Sequence, residues 1–165
     1  MSIIDTLITD RTAADVLELN QLKDKGLAGM TAAELARWMA GLKGSYNPST
    51  DMNRVSNAMQ YLWTRIQSFG YTVPPISPKT NWAYTDVPTS AQLAHYLEDL
   101  QILRNAISVT ADTPFLPETM ERLSVEEANN IEQILVILED LLTKLSSAYR
   151  HSGVTVSWMN GGLRL

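Results

Sequence analysis

The chain has 165 residues, 45% of them apolar and 19% charged, with a formal charge of −5 and a pI near 5.0. That is enough to bury a core in one compact domain, and it excludes global disorder. Cysteine is absent, which excludes a disulfide scaffold and every thiolate metal site.

The 13 Lys and Arg are scattered singly, as at Arg37, Lys43, Arg54, Arg65, Arg104 and Lys144. Without a basic stripe, nucleic acid is not an expected partner, and the negative charge disfavours anionic membrane surfaces. No apolar run approaches ~18 residues, so membrane insertion is not expected. The segment from Met1 to Leu7 lacks a basic start and a long apolar stretch, so it does not read as a secretory signal. A cytoplasmic protein, or one leaving by another route, is the expectation.

Helix starts are well marked. Thr12 with Asp15, Thr31 with Glu34, Thr89 with Gln92 and Ser124 with Glu127 each have capping-box spacing, the first being the weakest. The first helix is expected over about 13–25, with Val16, Leu19 and Leu22 as its stripe and Gly26 as its stop. The second is expected over 32–42, with Leu35, Trp38, Met39 and Leu42 on one face and Trp38 in the core. The third, over 51–68, carries Val55, Met59, Leu62, Ile66 and Phe69. Residues 71–88 hold four of the seven prolines and read as a loop.

A fourth helix is expected over 90–107, with Leu93, Leu97, Leu100, Leu103 and Ile107 in line. A short turn after Pro117 carries Met120 and Leu123. The last helix, over 125–149, would span ~37 Å. Its seam runs through Ala128, Ile131, Leu135, Leu138, Leu142, Leu145 and Tyr149. Ile134, Ile137 and Leu141 widen it beyond a coiled-coil stripe, so it needs neighbours on two sides. After Gly153, Val154, Val156 and Trp158 alternate with Thr155 and Ser157, as in a short strand.

The expected fold is therefore all-α. Five or six helices form an irregular bundle around the long C-terminal helix, followed by a short extended or strand-like tail. The helical domain covers 1–153, with lobes 1–70 and 89–153 joined by the loop 71–88 as an alternative organisation, and 154–165 form an extension. Asparagines open two long apolar helices, at Asn53 and at Asn130, but the surrounding spacings differ and no repeat is inferred.

Catalytic chemistry has little to rest on. His95 and His151 have no partner at ligand or nucleophile spacing. Glu118 with Glu121, Glu126 with Glu127, and Glu139 with Asp140 read as solvated faces or helix-start charges rather than acid–base pairs. Neither Gly41 with Gly44 nor Gly161 with Gly162 has the context of a phosphate loop. No catalytic residue, cofactor or metal is expected. The candidate interaction residues are Trp82 and Tyr84 in the loop, with Val154, Val156 and Trp158 in the extension. Trp82 reads first as a plug that pins the loop and second as a recognition residue. Trp63 is expected to be half-buried.

Several local patterns combine into a resemblance. They are Thr9-Asp-Arg-Thr12, Met30-Thr31 with Glu34 and Trp38, Lys43-Gly-Ser-Tyr-Asn47 and Asn53-Arg-Val55. Trp82, Asp86, Pro88-Thr89, Tyr96-Leu97 and Leu103-Arg104 follow, then Pro114, Pro117, Met120, Leu123 and Ala128-Asn129. Together these resemble a family of tailed-phage and prophage proteins of Gram-positive bacteria, encoded among tail and baseplate genes. The resemblance runs from Thr9 to about Gly153.

It implies a virion tail component, in the baseplate, tail tip or fibre, that docks other tail proteins and resides in the host cytoplasm before assembly. It brings no catalytic residues. A homo-oligomer is compatible with it. The alternatives are a carbohydrate- or surface-binding module using loop aromatics, a tail assembly chaperone or regulator, and a cell-wall enzyme working through facing carboxylates.

Overall fold

Helix starts are set locally, by the capping boxes. A computed structural model of the protein describes residues 2–151. The described residues form five α-helices and no strand: α1 (Ala13–Gly29), α2 (Ala32–Ala40), α3 (Asn53–Ser68), α4 (Ser90–Ala106) and α5 (Val125–His151). At α1, α2 and α4 the cap hydroxyl accepts from the third backbone N–H and the side chain there reaches back to the cap N–H. At α5, Ser124 and Glu127 do the same, at 3.1 and 2.8 Å. Helix α3 is the exception. It grows out of a π-helical turn (Pro48–Met52) capped by Asn47, whose Oδ1 accepts from the Thr50 N–H. A 3-10 turn (Ile3–Thr6) opens the chain.

Gly26 breaks the first helix as its sequence position suggests, through φ 63° and ψ 164°, a region open essentially to glycine. Helical structure resumes after the kink and continues to Gly29, past the expected stop.

The core helices run parallel. Between α3 and α5, Arg54 meets Glu132, Tyr61 meets Glu139 and Arg65 meets Thr143, each pair 78 residues apart. A constant offset over three turns is possible only for helices pointing the same way. Parallel neighbours need long return connections, and the chain supplies them as extended straps. The strap 71–88 runs back along α3, with Pro74 beside Trp63 and Trp82 beside Asn53. It delivers α4 to the end where α3 began, and α4 finishes beside Tyr71 at the other end. The strap 107–124 runs back along α4, with Thr113 and Pro114 on Arg104 and Glu121 near Ser90. The N-terminal strap runs against α5, with Ile8 on Glu132 and Arg11 on Asn129.

One hydrophobic core lies between the three parallel helices. Val55, Met59, Leu62 and Ile66 of α3, Leu100 and Leu103 of α4, and Ile131, Ile134, Leu135, Leu138 and Leu142 of α5 are fully buried. The wide seam of α5 thus has neighbours on two sides, and Ile137, Leu141 and Leu145 at its margin are half-buried. Met120, Leu123 and Trp63 pack partly against the same core.

Helix α2 departs from expectation. It contributes no buried residue, Trp38 is half-buried outside the core, and Leu35 and Met39 face solvent. Helices α1 and α2 pack on each other as a hairpin instead. Lys25 binds Glu34 at 2.5 Å, and Arg37 pairs with Glu18. At the base of the hairpin, Lys43 binds Asp10 at 2.8 Å. A Cβ on Gly44 would stand 2.1 Å from the Asp15 carbonyl oxygen, so only glycine lets the returning chain lie on the first turn of α1. The hairpin therefore leaves the bundle at the pole where α3, α4 and α5 start.

Candidate interaction surface

Of the five residues singled out in the sequence, two lie in the described part. Trp82 is 6% exposed and belongs to the core. Asn53 clamps its backbone, Nδ2 donating to the carbonyl at 2.9 Å and Oδ1 accepting from the N–H at 2.8 Å. Lys79 covers the indole, with Nζ 4.0 Å from the ring centre, and pairs with Asp86 at 2.8 Å. Lys79 and the Ala83 N–H lower the Asp86 pKa. Trp82 thus packs as a plug that pins the strap, and its burial leaves little of the ring exposed to solvent. Tyr84 is 75% exposed. Val154, Val156, Trp158 and the whole 154–165 extension lie outside the described residues.

A second clamp holds the N-terminal strap. Asn129 Oδ1 accepts from the Arg11 N–H, and its Nδ2 donates to the Arg11 carbonyl, both at 2.9 Å. Arg11 then buries its guanidinium between α3 and α5. Nη2 lies 3.0 Å from Asp51 Oδ1 and 2.6 Å from Glu132 Oε1, and Nη1 donates to the Ile8 carbonyl. Arg54 reaches the same two oxygens at 2.7 and 2.8 Å. Burial works against the Arg54 charge, but Glu132 and Asp51 outweigh it and raise the pKa.

Two guanidiniums and two carboxylates make the cluster neutral, which is what makes its burial tolerable. The Tyr46 ring lies 5.3 Å from the Arg11 guanidinium, and its hydroxyl meets that of Tyr96 at 2.8 Å. Burial, helped by Glu132, holds the Tyr46 phenol far above its ordinary pKa.

Sequence reasoning missed this cluster, because only Asp51 and Arg54 are near neighbours in the chain, at i,i+3 spacing, while Arg11 and Glu132 come from distant segments. One signal was available. Glu132 sits directly after Ile131 and three residues before Leu135, a charge inside the apolar face of α5 that must find a partner.

Ser77, His95 and Glu98 have the connectivity of a nucleophile, a base and an orienting carboxylate. The Ser77 hydroxyl is 2.9 Å from His95 Nε2, and His95 Nδ1 is 3.7 Å from Glu98. All three side chains are exposed, and 3.7 Å exceeds hydrogen-bond reach, so the arrangement lacks the dry, oriented setting that activates a serine. Its visible work is to tie the strap to α4, with Asp99 accepting from the Ser77 N–H at 3.3 Å.

Three of the acidic side chains singled out in the sequence have partners. Glu127 caps α5, Glu139 pairs with Arg65 at 3.1 Å, and Asp140 pairs with Lys144 at 2.6 Å. Burial raises the Glu139 pKa against the opposing pull of Arg65. Among the described residues no group of three His, Asp or Glu side chains is placed to hold a metal. No described helix is long and apolar enough to cross a membrane. An open depression of about 490 Å³ lies between Tyr71 and residues 104–109, and one of about 390 Å³ between α1 and α2 is lined mostly by charged side chains.

The feature that stands apart is the hairpin. Leu17 is 58% exposed, Leu27 61%, Leu35 38% and Met39 69%, so among the described residues four of the eight large exposed apolar side chains lie on α1 and α2. Concentration of apolar surface on one projecting element marks an interaction site more than scattered exposure does. No known family, curated protein or solved structure matches the chain.

Proposed function

We propose that the protein is a non-enzymatic docking subunit, and that the assembly it serves is a phage tail or tail-like particle. The observation that carries the docking role is the α1–α2 hairpin. It is held to the bundle at its base and exposes Leu17, Leu27, Leu35 and Met39. The setting in a tail rests on the residue pattern from Thr9 to Gly153, which resembles proteins encoded among tail and baseplate genes. The neutral charge cluster and the two asparagine clamps support a rigid body, suited to holding a fixed position between neighbours.

Mass spectrometry of tail particles purified after prophage induction tests this reading. Peptides of the chain in fixed ratio to a known tail protein are the expected result. Absence from intact particles, with the protein abundant in the lysate, overturns the virion role and leaves an assembly chaperone or regulator. Surface recognition by a loop tryptophan is no longer attractive, since Trp82 is buried.

A further inference from the structure

Of the two carboxylates on α4, the Glu98 side chain is 73% exposed and that of Asp99 only 1%. Buried carboxylates are ordinarily matched by a cation, as Glu132 is by Arg11 and Arg54. Among the described residues, the Asp99 carboxylate meets one hydrogen-bond donor, the Ser77 N–H at 3.3 Å, and lies 3.6 Å from His95 Nε2. The Ser77 hydroxyl is 2.9 Å from the same nitrogen. Both contacts of Ser77 therefore fall on one histidine–aspartate unit, whose charge depends on a proton.

The strap is pinned on either side of this point. Trp63 Nε1 donates to the Pro74 carbonyl at 2.9 Å, and Asn53 clamps Trp82. Between the pins, the hydrogen bonds to the helices are those of Ser77. We propose that the segment 75–81 is a proton-operated latch, closed on α4 when His95 carries a proton and loosened when His95 is neutral.

The direction follows from what closing covers. With an imidazolium at position 95, Nε2 donates to the Ser77 hydroxyl and its charge faces the Asp99 carboxylate, so the closed segment covers a neutral pair. With a neutral imidazole, the closed segment covers an anion answered by one long N–H contact, and opening returns that anion to water. The raised Asp99 pKa, caused by burial and opposed by His95, reflects the same balance. A proton on either residue favours the closed state, so the latch tightens as pH falls and loosens as pH rises. Histidine ordinarily changes charge between about pH 5 and 8, which sets the window.

Other charges around the pair do not reverse this sign. Glu98, on the same helix and 3.7 Å from His95 Nδ1, also favours the imidazolium. On the strap, Lys79 and Asp86 pair with each other. On α3, Arg54 is held by Glu132 and Arg65 by Glu139, which also occupies those carboxylates of α5.

Hydrogen exchange of the full chain at pH 5.5 and pH 8, with each amide corrected for its intrinsic rate, tests the latch. Protection of the Ile76, Ser77, Lys79 and Thr80 amides is expected to be at least about threefold higher at pH 5.5, while the Trp82 amide and the core of α5 stay level. His95→Gln keeps a hydrogen-bonding group beside Ser77 but takes up no proton, and it is expected to abolish the difference. Asp99→Asn is expected to protect the segment equally at both pH values.

Equal protection of the wild-type segment at both pH values overturns the proposal, as does a difference that survives His95→Gln. A difference shared equally by Trp82 and α5 also overturns it, because the whole fold is then responding. If helical circular dichroism shows that His95→Gln disturbs the fold, Asp99→Asn carries the test alone, and a difference that survives it overturns the latch.

Discussion

Asn53 satisfies both backbone polar groups of Trp82 with one carboxamide, 29 residues away in the chain. Asn129 does the same for Arg11 across 118 residues. In each case a core helix holds an extended strap that has no secondary-structure partner of its own, so the asparagine replaces the ladder that a strand would have supplied.

Replacement of Asn53 by Ala removes three part-buried hydrogen bonds, one of them to the Ser49 carbonyl, and strands the Trp82 N–H and carbonyl. A loss of roughly 2–3 kcal/mol is expected in urea denaturation. Asn53→Asp keeps the acceptor but sets an anionic oxygen against the carbonyl. At pH 7 it is expected to be at least as damaging as Ala, and to recover partly at pH 4, where a protonated carboxyl donates again. Equal stability of the Asp variant at both pH values would contradict the clamp.

The Arg11 cluster invites a double-mutant cycle. Arg11→Met leaves Asp51 and Glu132 sharing one guanidinium in the core, and Glu132→Leu leaves two guanidiniums on one carboxylate. Each is expected to cost about 3–5 kcal/mol. Together they leave Arg54 and Asp51 as a neutral pair at 2.7 Å. The double variant should therefore be more stable than the sum of the singles by roughly 1–3 kcal/mol. Strict additivity of the unfolding free energies would show that the charges do not act as a unit.

Asp99 gives a pH dependence with a definite sign. Burial raises its pKa, with His95 pulling the other way, while Glu98 adds to the rise. A carboxyl whose folded pKa is raised favours folding when protonated, and its ionisation opposes folding as the pH climbs through the raised value. Asp99→Asn keeps an acceptor for the Ser77 N–H without the charge. It is expected to gain stability relative to wild type at pH 7, and that gain should shrink as pH falls into the carboxylate range. Thermal melts of both proteins from pH 3 to 8 read the difference directly.

Gly44 is where the hairpin meets the bundle. Gly44→Ala forces a Cβ against the backbone of Asp15 and must displace one chain or the other. Hydrogen exchange is expected to rise in residues 13–42 while the core of α3 and α5 keeps its protection. Uniform loss of protection would mean that the hairpin and the bundle open as one unit.

Much of this protein follows from local chemistry in the sequence. The capping hydroxyls fixed where four helices start, Gly26 fixed a break, and the apolar periods of α3 and α5 named the faces that are buried, because each depends on residues within a few turns. The direction of packing did not follow. Three parallel helices can be recognised only from contacts such as Arg54 with Glu132 and Tyr61 with Glu139, between segments that carry no mark of each other.

The same holds for the candidate surface. The periodic stripe of Leu35, Trp38, Met39 and Leu42 reads as core, yet the hairpin stands off the bundle and leaves Leu35 and Met39 in solvent. Amphipathicity states that a face seeks an apolar partner. Whether the same chain provides that partner is decided by which surfaces the straps and core helices have already covered.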